Sequence, residues 1–291
     1  MHQAKKSLGQ NFLKSEIALR KIIEAGEIKS DDVILEIGPG RGALTKQLLA
    51  CSCQLVAVEK DKDLCELLQI KFQKEISSGQ LKLIQGDILE FDLKSYNLQA
   101  TTYKLIANIP YNITGAILKK FLTAENQPSL MVLMVQHEVA QRIIGNSPSA
   151  AKAKAGKKES ILSISVKAYG EPKMIMKVDK RYFSPAPKVN SAIISIKNIS
   201  RKLFTSPQPS PDEGEGGKAI VQDKILDNQA FEEKFWEIVK KGFAHKRKKL
   251  SSNLKDVCQG ASLTSLGNKR AEDLALADWI ALTKEMNRPM E

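Results

Sequence analysis

The stretch Val33-Ile34-Leu35-Glu36-Ile37-Gly38-Pro39-Gly40-Arg41-Gly42 decides the fold. Its first five residues are apolar except for Glu36 and rich in β-branched side chains, so they read as a buried strand. The glycines that follow let the backbone turn sharply and approach a ligand closely. Ala43 to Ala50 reads as the helix that this loop opens. The pattern repeats outward: strand Leu55 to Val58, helix from about Asp61 to Ile76, then strands at Leu81 to Ile84, Lys104 to Ala107 and Leu130 to Val135. Such alternation predicts an α/β fold, a parallel Rossmann-like sheet covered by helices on both faces. Strand signals at Met174 to Val178 and Ala192 to Ile196 are expected to close the sheet with an antiparallel edge.

The loop is not a dinucleotide fingerprint. Pro39 stands inside it, where that fingerprint has Gly-x-Gly-x-x-Gly. Glu59 ends the second strand, 21 residues beyond Gly38, and a carboxylate there can accept hydrogen bonds from both hydroxyls of a ribose. Gly86-Asp87 ends the third strand, and an ionised Asp suits an adenine amino group because it only accepts.

Asn108-Ile109-Pro110-Tyr111 ends the fourth strand, at the carboxyl edge where open α/β sheets place ligands. The tetrapeptide suits methyl transfer to an aromatic amine. Delocalisation into the ring makes that nitrogen a poor nucleophile. Two acceptors aimed at its N–H groups, the Asn108 side-chain oxygen and the Ile109 carbonyl, favour a tetrahedral nitrogen with a free lone pair. Pro110 stiffens the turn and fixes the carbonyl direction. Tyr111 offers a face on which an extruded base can stack. In isolation these four residues also read as an Asn-Pro turn with a core tyrosine. Phe183 opens the proline-braced loop Phe183-Ser184-Pro185-Ala186-Pro187-Lys188-Val189. It can cover the other face of the base, or it can staple the loop.

Composition bounds the rest. A net charge of +12 over 291 residues favours a polyanionic partner, nucleic acid or an anionic membrane surface. No apolar run approaches the ~18 residues of a membrane span, and the basic opening has no apolar stretch behind it to make a secretory signal. Cys51, Cys53, Cys65 and Cys258 have neither Cys-x-x-Cys spacing nor nearby histidines, so they read as reduced thiols of a cytosolic protein without a metal site. Asn146 to Lys158 reads as a solvated loop, and Ser206 to Gly217 as disordered. Phe231, Phe235, Ile238, Val239 and Phe243 recur at helical spacing, and a further helix is expected over Lys269 to Met286. The organisation expected is therefore a catalytic domain over 1–200, a linker over 201–222 and a small all-α domain over 223–291. Lys240, Lys241, Lys246, Arg247, Lys248 and Lys249 crowd that last part and favour a phosphate-binding surface.

Together these motifs resemble the KsgA (RsmA) family of ribosomal RNA adenine dimethyltransferases. The resemblance rests on Gln3 to Leu13, Leu35 to Gly40, Asn108 to Thr114, Gln136 to Arg142, Phe183 to Val189 and Phe243 to Leu254, in order. It spans the chain except for the two low-complexity stretches. It implies a class I methyltransferase sheet and S-adenosyl-L-methionine as cofactor. It also implies N6,N6-dimethylation of two adjacent adenines in the 3′-terminal hairpin of small-subunit (16S) ribosomal RNA, within a pre-ribosomal 30S particle, by a cytoplasmic monomer. By the same resemblance Asn11 and Leu13 close over the cofactor, Gly38 contacts it, Glu59 holds its ribose, Asp87 its adenine, and Asn108 lies at the methyl-transfer site. Lys246, Arg247, Lys248 and Lys249 are the expected RNA contacts. The competing readings are a large-subunit adenine methyltransferase of the macrolide-resistance type and a ribosome-assembly factor that binds RNA without catalysis. A DNA adenine methyltransferase lacks a second domain large enough for sequence readout, and no hydride-transfer site supports a nicotinamide oxidoreductase.

Overall fold

The computed structural model describes residues 3–93, 103–145, 158–205, 217–257 and 266–286. In chain order the elements are β1 (Phe12–Leu13), α1 (Glu16–Gly26), β2 (Val33–Ile37), α2 (Ala43–Leu49), β3 (Gln54–Glu59), α3 (Lys62–Lys71), α4 (Gln73–Ser77), β4 (Leu81–Gln85) and β5 (Tyr103–Asn108). They continue with α5 (Thr114–Leu122), β6 (Leu130–Gln136), α6 (His137–Ile144), α7 (Ile161–Lys167), β7 (Glu171–Val178), β8 (Phe183–Ser184), β9 (Ser191–Lys197), α8 (Gly217–Gly242), α9 (Leu250–Asn253) and α10 (Leu276–Met286). The residues fall into two compact units, Met1–Ile144 with Gly170–Ser200, and Gly145–Tyr169 with Arg201–Glu291.

The first unit is built on a seven-stranded sheet of order β4-β3-β2-β5-β6-β9-β7. The first five strands are parallel, while β9 and β7 run antiparallel, as the strand signals in the sequence anticipate. Strand order reverses beside β2, whose neighbours are β3 and β5, and this switch point is where a doubly wound sheet opens a crevice. The sheet is covered on both faces, so its middle strands are apolar without alternation: Leu130 to Val135 are all buried. Side-chain caps start α1 and α3. Ser15 accepts from the Ala18 N–H at the head of α1, and Asp61 accepts from the Asp63 N–H at the head of α3.

The helix expected over Asp61 to Ile76 is two helices that meet at Phe72. Phe72 leaves helical geometry at φ −116°, ψ 31°, and its ring is buried. It packs under the glycine loop so closely that a Cβ on Gly42, held at φ +76°, would lie 2.6 Å from Phe72 Cε2. Periodicity alone does not reveal such a break, because the residues on either side keep helical spacing.

The second unit holds α7 to α10 without β7 to β9. The boundary expected at residue 200 is therefore incomplete, since Gly145–Tyr169 groups with the C-terminal helices. Tyr169 stacks on Trp236 at 6.1 Å, its hydroxyl donates to Glu232 Oε1 at 2.5 Å, and Trp236 Nε1 donates to Tyr169 Oη at 3.0 Å. The proposed linker is also ordered at its edges. Lys202–Phe204 forms a 3-10 turn with Phe204 buried among Tyr169, Phe231 and Phe235, and α8 begins at Gly217. The helix expected from Lys269 begins at Leu276, because Leu274 is extended after the turn Ala271–Asp273. The expectations for residues 146–157 and 206–216, and that for Cys258, lie outside the described residues. Among the described residues no helix is long and apolar enough to cross a membrane.

Candidate active site

The glycine loop leaves β2 and is held by its neighbour strand. The Gly38 N–H donates to the Val58 carbonyl at 2.9 Å, and the Gly42 N–H donates to the Pro39 carbonyl at 2.9 Å. Gly40 sits at φ +60°, where an L side chain is strained and its Cβ would meet the Phe12 ring at 3.0 Å. Its buried backbone N–H donates to Glu59 Oε2 at 3.0 Å, and the other Glu59 oxygen accepts from the Asp61 N–H at 2.9 Å. Glu59 thus pins the loop while each of its oxygens keeps a second lone pair. Burial raises its pKa, and the N–H groups of Asp61, Gly40 and Lys60 oppose that rise.

Asp87 lies beside Glu59, after β4, where the Gly86 N–H donates to the Glu59 carbonyl at 2.9 Å. The Lys60 ammonium binds Oδ2 at 2.7 Å and the Leu89 N–H binds Oδ1 at 2.9 Å. Lys60 first, then Leu89, hold its carboxyl below the usual range, so it is an ionised acceptor at neutral pH. Beneath the loop Glu36 is 1% exposed, and Oε2 has no hydrogen-bond partner. Its pKa is pushed up to about 8, by burial first and by the nearby Glu59 charge, against the opposing contact with Thr45.

The tetrapeptide closes the crevice on the other side. Asn108 ends β5, and its Nδ2 donates to the Asn11 carbonyl at 3.2 Å. That contact assigns the amide donor to the protein and leaves Oδ1 as acceptor. Ile109 is 2% exposed and Pro110 holds φ −60°, ψ 132°, so the turn is rigid. Tyr111 opens the 3-10 turn Tyr111–Ile113, and its carbonyl accepts from Thr114 Oγ1 at 3.1 Å. The phenol hydroxyl lies 2.5 Å from Ser191 Oγ.

The N-terminal segment covers the opening. Lys5 Nζ binds Asp61 at 2.6 Å and Asp63 at 2.8 Å, Gln10 Nε2 donates to Asp61 Oδ2 at 2.7 Å, and the Lys5 N–H donates to Gln10 Oε1 at 2.7 Å. β1 then pairs antiparallel with β8, with Leu13 opposite Phe183. The Arg41 guanidinium lies 4.5 Å over the Phe12 ring and ties the segment to the glycine loop.

These elements enclose one cavity of about 450 Å³, a volume suited to a small-molecule cofactor. Asn11, Leu13, Gly38, Glu59, Asp87, Asn108, Ile109, Pro110 and Tyr111 all line it. Phe183 does not. It is 2% exposed and packs in the core cluster with Leu13, Val178 and Ile193, while its neighbour Ser184 reaches the wall. The structure therefore places Phe183 in the core and away from the cavity wall. Lys246, Arg247, Lys248 and Lys249 belong to the second unit and are exposed there. Asn253 Nδ2 shapes their turn by donating to the carbonyls of Gly242 at 2.6 Å and His245 at 3.1 Å.

Three features escape sequence reasoning. Glu36 carried a signal, a lone carboxylate inside an apolar strand. The Lys5–Gln10–Asp61 contacts and the Tyr111–Ser191 pair join residues 51 to 80 positions apart and carried none.

Residues 1–208 match the family model described as ribosomal RNA adenine dimethylase. A protein of Rippkaea orientalis named ribosomal RNA small subunit methyltransferase A is 36% identical over 96% of this chain and 96% of its own length. A protein of the same name from Fusobacterium nucleatum is also 36% identical, over 96% of each chain. Among solved structures, a dimethyladenosine transferase from Plasmodium falciparum superposes with a TM-score of 0.68 at 23% identity, covering 95% of this chain and 97% of that one. The 23S rRNA methyltransferase ErmE gives 0.67 at 22% identity, covering 96% of this chain and 100% of that one. The two structures share the fold, and the span matched by the family model takes in the glycine loop, the tetrapeptide and the loop at Phe183. This chain belongs to the ribosomal RNA adenine dimethylase family.

Proposed function

We propose that the chain transfers methyl groups from S-adenosyl-L-methionine to N6 of two adjacent adenines in the 3′-terminal hairpin of small-subunit ribosomal RNA. In this reading it acts as a cytoplasmic monomer on an immature 30S particle. The observation that carries it is one cavity bounded by the glycine loop on one side and by Asn108, Ile109 and Tyr111 on the other. The residues present fit the cofactor. Glu59 has lone pairs for ribose hydroxyls, Asp87 is an ionised acceptor for an adenine amine, and the orphaned Glu36 Oε2 is an acceptor that a cofactor's donor can satisfy. Gly38 and Gly40 let the backbone approach, with Asn11 and Leu13 above.

Bound cofactor supplies an electrophilic methyl group on a sulfonium. The chain's own residues make the amine receptive. Asn108 Oδ1 and the Ile109 carbonyl accept hydrogen bonds from the two amino N–H groups and favour the tetrahedral nitrogen. The Asn11 carbonyl keeps the Asn108 amide from rotating. Tyr111 holds the extruded base by its face, worth ~1–3 kcal/mol. No strong general base is required, because the N–H becomes acidic once the nitrogen carries the methyl group. A monomethylated amine still has one proton to donate, so one acceptor suffices for the second round.

The small-subunit assignment is supported by the full-length relatives, whose names specify that subunit. The fold does not discriminate, since ErmE and the Plasmodium falciparum enzyme superpose equally well. Labelled cofactor offered with immature small subunits, large subunits and DNA is the test. N6,N6-dimethyladenine is expected in the first alone, and label solely in large-subunit RNA would overturn the reading. Asn108→Ala is expected to lower turnover by about a hundredfold or more with RNA binding kept. Unchanged turnover would remove Asn108 from the chemistry.

A further inference from the structure

Tyr111 reaches across the sheet to a strand far from it in sequence. The order β5-β6-β9 places the tetrapeptide at the end of β5, two strands from β9, and the phenol of Tyr111 meets the Ser191 hydroxyl at 2.5 Å. Ser191 is the first residue of β9, opposite Gln136 of β6 and Val178 of β7, and it is fully buried. Its neighbour Asn190 is tied down as well. The Asn190 carbonyl accepts from the His137 N–H at 2.9 Å, and Asn190 Oδ1 accepts from the Lys180 N–H at 3.0 Å. The serine hydroxyl is therefore a fixed point on the rigid part of the sheet.

A tyrosine side chain has two soft torsions. A bond at the phenol oxygen fixes the first by position, and it favours one setting of the second because the conjugated O–H lies in the ring plane. The ring so restrained is a wall between two spaces. It lines the main cavity beside Asn108, and it lines an adjoining concavity with Gly9, Asn11, Asn112 and Gln136. Burial raises the phenol's pKa while the Ser191 contact opposes the rise, and the hydroxyl stays neutral at physiological pH. One hydroxyl donates and the other accepts.

We infer that Ser191 is a positioning residue for the reaction: its hydroxyl sets the plane of the Tyr111 ring against which the target adenine stacks. This rests on the stacking role given to Tyr111 above. Removing the serine hydroxyl leaves the ring in place with its orientation unfixed. The loss then falls on the productive geometry of the base and not on cofactor or RNA binding, which other residues carry.

A double-mutant cycle tests this. Ser191→Ala and Tyr111→Phe are each expected to lower kcat by about fivefold to tenfold, the worth of one hydrogen bond. The double variant is expected to be no slower than Tyr111→Phe alone. The KM for cofactor and the RNA dissociation constant measured by anisotropy are expected to stay within twofold of the parent. Multiplied losses in the double variant, or Ser191→Ala at the parent kcat, would overturn the inference. So would a loss confined to the melting temperature. Tyr111→Ala separates the two levels of the argument. If it abolishes turnover while Ser191→Ala has no effect, positioning by Ser191 fails and stacking stands. If Tyr111→Ala turns over normally, stacking fails and the inference falls with it.

Discussion

Glu36 is a carboxyl group set in an apolar strand, and its energetics follow from that placement. An isolated buried carboxylate is costly, so the group shifts toward its neutral form. Its pKa rises from the ordinary 4.5 to about 8, with burial as the first cause. Between those two values the unfolded chain has lost the proton while the folded chain still holds it. Stability therefore falls as pH rises through this window and is fullest below it. Glu36→Gln keeps the shape and removes the titration. The cofactor-free variant is expected to melt at the parent temperature near pH 4.5 and several degrees higher at pH 8.5. A difference that is the same at both pH values would show that Glu36 does not titrate in this window. The residue also departs from the best core: the strand would pack better with an apolar residue there, and one carboxyl oxygen is left without a hydrogen-bond partner.

At the scale of elements, the N-terminal segment is a strap over the crevice, and its anchor is one carboxylate. Asp61 caps α3 and binds both Lys5 and Gln10. Those contacts place its carboxyl below the ordinary value even though burial alone would raise it. Asn at this position is an equally good cap but carries no charge for Lys5. Asp61→Asn is expected to leave the melting temperature nearly unchanged and to weaken cofactor binding severalfold, read by calorimetric titration. Unaltered affinity would mean that the strap is held by β1 pairing and Phe12 alone. The strap's contacts were not legible in its residues, and only the resemblance set Asn11 and Leu13 over the cofactor, whereas the sheet was legible. Buried parallel strands such as Leu130 to Val135 announce themselves locally, and so do a glycine loop and a capped helix. Long-range contacts do not: the break at Phe72 exists because its ring meets Gly42 on another element, and Gly145–Tyr169 joins the C-terminal helices through Tyr169 and Glu159. Of the candidate site, Glu59, Asp87 and Asn108 could be singled out because chemistry favours their residue types at strand ends, and the three line one cavity. Phe183 was ambiguous because an aromatic before a proline-rich loop serves stacking and stapling alike.

For the molecule as a whole, the governing quantity is charge. A surplus of +12 attracts any polyanion, and by itself it specifies no sequence. Under the proposed function the crevice selects the base and the basic surface supplies affinity. Lys246, Arg247, Lys248 and Lys249 are the concentrated part of that surface, exposed in a turn held by Asn253. If each contacts a phosphate, the four together release about three to four counterions on binding. Replacing all four by Ala is then expected to flatten the slope of log affinity against log salt by about three. Binding near 200 mM salt should change far less than binding near 50 mM. Saturating RNA at low salt is expected to restore turnover to the parent kcat, because none of the four reaches the reacting amine in the proposed mechanism. An unaltered salt slope would make the run a solvated face and move the affinity to the other lysines and arginines. A flattened slope with kcat still depressed at saturation would instead mean that the basic turn orients the RNA hairpin as well as holding it.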